Sequence, residues 1–218
     1  MCRIYTMKGW YNMKFMKKSL VILIFSAFIM IFNECNFAEA YTGYAGGDGG
    51  LYYASAQARI AKYYLDLMGY STTEYTGVNY TKSSVSSNVA NVGVFYVSCH
   101  GSSNASAFWT NQSQSKITSS ELYSWTRGFY KFGFIDACHS GETQAMYNAL
   151  NMSDGDGASH AFLGWNDLSY DNYDYYIFTM YVFEKLAEGY TINDAVWTAR
   201  QKSGVTNYQI YGDYQMTM

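Results

Sequence analysis

Three apolar runs of strand length, at 92–98, 132–136 and 158–164, alternate with stretches whose apolar residues recur every three or four positions. That alternation leaves few folds open. A run apolar at most positions, without alternation, belongs to a strand buried on both faces, as in parallel sheets covered by helices. The spacing predicts a helix from Tyr53, with Ala54, Ala58, Ala61, Leu65 and Met68 on one stripe and Gly69 as its stop. Further helices are predicted over 142–150, over 173–186, and from Thr191 to Lys202 with Gly204 as the stop. Thr118-x-x-Glu121 is a capping-box pattern ahead of Leu122 and Trp125. Strands are expected over 72–76 and 208–211, and a loop or short helix over 80–91, while mostly polar residues fill 102–117. The segment 41–50 holds five glycines and reads as a short strand at best, then a loop. The expected fold is α/β: a three-layer sandwich with a mostly parallel central sheet flanked by helices, in one domain over 41–218.

The first forty residues read as a separate object. Lys14, Lys17 and Lys18 precede an apolar run from Leu20 to Phe32, and Ala38-Glu39-Ala40 follows a polar stretch. This is the order of a secretory signal peptide with cleavage after Ala40. The apolar run is too short to span a bilayer comfortably, so membrane contact is expected only through an uncleaved segment. The chain is expected to be secreted, extracellular or cell-wall associated.

Cleavage there would remove five basic and two acidic residues, leaving 9 basic against 15 acidic, a net charge of −6. A nucleic-acid partner is excluded on that balance, since binding phosphates needs a basic face. Two cysteines remain, Cys99 and Cys138, with all three histidines. A disulfide scaffold would hold more.

Two of the three apolar runs end in Cys-His. In open α/β sheets the site lies beyond the carboxyl ends of the strands. Cysteine nucleophiles need a thiolate, a general acid–base group and donors for an oxyanion. Cys138 and His100 supply the first two. Gly101 lets a backbone N–H approach a substrate carbonyl. The predicted helix after Cys138 would lower its thiol pKa.

His100-Gly101 after one buried strand, and Asp136-Ala-Cys-His-Ser-Gly141 after the next, 38 positions on from histidine to cysteine, resemble the caspase-like clan of cysteine peptidases. That clan includes caspases, metacaspases, legumain, clostripain and gingipains, and the wording here is nearest the metacaspase and bacterial branch. The resemblance implies an endopeptidase acting on a protein or peptide. Cys138 would attack the scissile carbonyl and His100 would protonate the leaving amine. The N–H groups of Cys138 and Gly101 would hold the oxyanion, with no third triad member. It also implies a pocket residue two before the cysteine, here Asp136. Asp48 and Asp167, beside Trp165, are expected to join it from neighbouring loops, giving an acidic pocket that favours cleavage after Arg or Lys. No cofactor is implied, although calcium activation is compatible with the family. A catalytically silent binding module and a transpeptidase of the same fold are the alternatives.

Cys99 has two readings. It is a small buried side chain facing away from His100, or it forms a disulfide with Cys138 that would block the nucleophile. Zinc binding by the two Cys-His pairs matches no common ligand spacing. His139 reads as a surface residue and His160 as a hydrogen-bonded core histidine. Asp154 and Asp156 read as a solvated turn rather than a calcium loop. Tyr170, Tyr173, Tyr175, Tyr176, Tyr181 and Tyr190 read as helix surface and packing.

Overall fold

In the computed structural model the described residues are 41–110, 112, 114–127, 130–152 and 159–218. The predicted signal peptide over 1–40 and the residues 154–156 expected to form a solvated turn lie outside them. Eight strands and six helices follow in chain order among the described residues. They are β1 (Thr42–Asp48), α1 (Ala54–Leu67), β2 (Ser71–Gly77), α2 (Lys82–Asn88), β3 (Val94–Ser98), β4 (Ala107–Thr110), β5 (Ser115–Thr118), α3 (Ser119–Trp125), β6 (Phe132–Asp136), α4 (Ala145–Ala149), β7 (Ala161–Trp165), α5 (Tyr173–Ala187), α6 (Ile192–Ser203) and β8 (Tyr208–Gly212).

Six strands form one sheet in the order β2-β1-β3-β6-β7-β8, parallel except for the last pair. The expected three-layer α/β sandwich is therefore the observed one. Strand parity sorts the core into two halves. Val94, Tyr96, Phe132, Phe134, Leu163 and Trp165 face α1, α5 and α6. Phe95, Val97, Ile135 and Phe162 face α2, α3, α4 and the antiparallel β4–β5 hairpin. Both helix stops predicted at glycine hold, with left-handed backbone at Gly69 and Gly204. The capping box at Thr118 and Glu121 makes both of its reciprocal bonds.

Three expectations need correction. The glycine-rich start is no loop: β1 is a seven-residue central strand paired on both sides. Its glycines reflect crowding. A Cβ at Gly47 would lie 2.4 Å from the carbonyl oxygen of Ala54, so α1 begins hard against the strand. The polar stretch 102–117 holds the β4–β5 hairpin, whose Phe108 and Ile117 cover one sheet face. Finally, α4 has five residues and starts seven positions beyond Cys138, after a series of turns. The N-terminus of α4 therefore does not follow directly on that thiol.

Candidate active site

The parallel register that pairs Ser98 with Asp136 runs on past the strand ends: the Cys99 N–H donates to the Asp136 carbonyl at 3.1 Å. This brings the loops holding His100 and Cys138 level. Beyond that point the chain after β3 turns into the hairpin. Gly101 bridges to Phe108 through Ser102 N–H to the Ala107 carbonyl and Trp109 N–H to the His100 carbonyl. The N–H of Gly101 takes no part in that bridge. Gly101 also lies against the nucleophile candidate: a Cβ there would sit 2.0 Å from the Cys138 carbonyl oxygen and 2.7 Å from its nitrogen. Only glycine allows this approach.

A narrow cleft of about 140 Å³ opens here, lined from four strand ends. Leu51 follows β1, Ser98 and His100 end β3, Asp136 and Cys138 end β6, and the 169–171 loop follows β7, with Gln57 reaching in from α1. Typical pockets for drug-sized ligands measure ~300–1,000 Å³, so this one suits a single side chain. It also lies at the reversal of strand order, where β1 connects outward to β2 and β2 crosses back to β3.

The Cys138 sulfur is held by the loop after β7. It lies 3.4 Å from the Ser169 N–H, which donates to it, 3.4 Å from the Ser169 carbonyl and 3.5 Å from the Ser169 hydroxyl. His100 lines the same cleft, and no hydrogen bond joins its ring to the sulfur among the described residues. Catalytic bonds are often loose without substrate.

Asp136 sits at the floor, 5% exposed. Its Oδ2 accepts from Gln57 Nε2 at 3.0 Å, the Tyr96 hydroxyl at 3.2 Å and the Thr179 hydroxyl at 3.4 Å. Its Oδ1 accepts from Trp165 Nε1 at 2.7 Å. All four donors are neutral. Burial therefore dominates and pushes the carboxyl up to about 6, and the nearby Asp171 charge acts in the same direction.

The other expected pocket residues do not line the cleft. Asp48 is wholly buried at the end of β1. It shares a strand face with Tyr44, on the α2 and hairpin side, whereas Asp136 projects toward α1 and α5. Strand parity separates them. Asp167 lines a neighbouring groove with Asn172 and Asp174, its carboxylate turned back on the Leu168 N–H. Trp165 is wholly buried and grips Asp136 from behind, packing edge-on against Phe134 and Tyr175. The residues the sequence did not reveal are Gln57, Ser169 and Asp171. The polar Gln57 on an otherwise alanine- and leucine-rich helix stripe was the one available signal.

Cys99 is 3% exposed and faces the hairpin side. Its sulfur accepts from the Tyr80 hydroxyl at 3.7 Å, and burial pushes its thiol up. Both cysteines are free, so the disulfide alternative is not adopted. His160 is a core histidine bonded to the Tyr130 carbonyl. His139 has left-handed backbone and pairs with Glu142 at 3.0 Å. Among the described residues no cluster of three or more His, Cys, Asp or Glu side chains could hold a metal ion.

No protein-family model matches the chain, and no curated protein matches it. In structure it is similar to protein GSU0716 from Geobacter sulfurreducens, with a TM-score of 0.50 over 79% of this chain and 92% of that one, at 15% identity. Such a likeness concerns the fold alone.

Proposed function

We propose that this chain is an exported cysteine endopeptidase of the caspase-like clan, with a His100–Cys138 dyad, cleaving after basic residues. One observation carries the reading. Two loops far apart in sequence, His-Gly and Ala-Cys, meet at one lip of a parallel sheet so closely that Gly101 tolerates no side chain.

The Cys138 sulfur attacks the scissile carbonyl, forming a tetrahedral oxyanion that collapses to an acyl-enzyme. The N–H groups of Gly101 and Cys138 stabilise the oxyanion. His100 gives its proton to the departing amine, then takes one from the water that releases the acyl group. The substrate side chain before the cut bond enters the cleft and meets Asp136, a buried carboxylate whose four hydrogen-bond donors are all neutral. A cationic side chain supplies the missing countercharge. For export, the support is the order of charge, apolar run and small residues before Tyr41.

The test uses fluorogenic peptides ending in Lys, Arg, Asp or Asn before the reporter. Hydrolysis should follow basic residues, and Cys138→Ala should abolish it together with labelling by an acyloxymethyl ketone probe. Activity surviving that substitution would overturn the dyad. Preference for Asp or Asn would overturn the acidic pocket.

A further inference from the structure

We infer that the cleft selects a primary ammonium, hence lysine over arginine, and that Asp171 is its second specificity carboxylate. This rests on the peptidase reading above and narrows its substrate class. The argument is a count of lone pairs. A carboxylate offers about four acceptor sites, two on each oxygen. On Asp136, Oδ2 is saturated: three donors, from Gln57, Tyr96 and Thr179, share its two sites. Oδ1 receives one, from Trp165, and keeps one site. A guanidinium bound fork to fork needs one free site on each oxygen. Asp136 therefore has room for a single further N–H.

Asp171 is limited in a different way. Its two oxygens accept from two successive backbone N–H groups, Tyr52 on one and Tyr53 on the other, at the start of α1. Two adjacent parallel donors occupy the carboxylate edge that an arginine fork would use. Each oxygen keeps a site for a single contact. Ser98, which donates to Gln57 Oε1 at 2.8 Å, retains acceptor capacity on its own hydroxyl and lines the same cleft. Single sites on Asp136, Asp171 and Ser98 match the three N–H groups of one ammonium. They do not match a planar fork, and the two cations are not interchangeable at such a site.

The experiment compares kcat/KM on peptides that differ only in the residue before the reporter: lysine, arginine and norleucine. Lysine should exceed arginine by roughly tenfold or more, the factor one charge-assisted hydrogen bond supplies. In Asp171→Asn the lysine-to-norleucine ratio should fall by about the same factor, with norleucine as the reference for general damage to the fold. Equal or better cleavage after arginine overturns the inference and leaves the peptidase reading standing. A lysine-to-norleucine ratio unchanged in the variant overturns the role of Asp171. If Asp171→Asn does not fold, the lysine-to-arginine ratio of the parent decides the question. If the parent cleaves none of the three and Cys138 takes no acyloxymethyl ketone label, the peptidase reading itself has failed, and the inference with it.

Discussion

Asp136 holds its charge against the strongest local resistance, and this gives the residue a pH signature. In the folded chain burial raises its carboxyl to about 6. An unfolded Asp releases its proton near ~3.9. Between these values the folded state binds more protons, so stability must fall as pH rises through that window. The loss should be on the order of 3 kcal/mol. Urea denaturation from pH 4 to pH 8 should show the decline, and Asp136→Asn should flatten it. The lysine-to-norleucine preference should change in the opposite sense, weakening as pH drops through about 6 and the pocket loses its charge. A preference constant over that range would mean that Asp136 does not face the substrate. The residue itself was visible in the sequence, two positions before the cysteine. Its partners were not, because Gln57, Tyr96, Trp165 and Thr179 come from four different elements and share no sequence pattern.

At the scale of elements, β1 shows how a strand can hide from composition. Strand propensity scales count glycine as unfavourable because it brings entropy and no packing surface. Here the surface comes from neighbours: α1 presses its first turn against Gly47, and the Tyr80 ring covers Gly46. Gly47→Ala should drive a methyl group into the Ala54 carbonyl, costing about 1–3 kcal/mol and lowering the melting temperature by several degrees. A variant melting with the parent would show that the helix start yields freely. Elements with their own local signals were read correctly. The Thr118–Glu121 capping box, the Gly69 and Gly204 stops and the largely apolar β3 and β6 each depend on residues within one short window. The hairpin over 107–118 was missed because only Phe108 and Ile117 face the core, too few to make an alternating pattern.

For the whole molecule, β3 and β6 carry the proposed dyad and are buried at every position. Each is paired on both sides, and each is covered by helices on one face and by the hairpin half of the core on the other. Amide exchange should therefore be slowest over Phe95–Val97 and Phe134–Ile135, and much faster in the edge strands β2 and β8. Equal protection at the edges would contradict the layered account. By itself the sequence determined the layers, the chain order of most strands and helices, and the two loops where chemistry could sit. Apolar periodicity and glycine stops are local physics, written into neighbouring residues. Only the tertiary structure decided which acids line the cleft. Strand parity turned Asp48 to the far face, and the path of the loop after β7 carried Asp167 into another groove and set Asp171 against α1. The placement of Asp171 depends on contacts between residues more than a hundred positions apart, and no short stretch of chain encodes it.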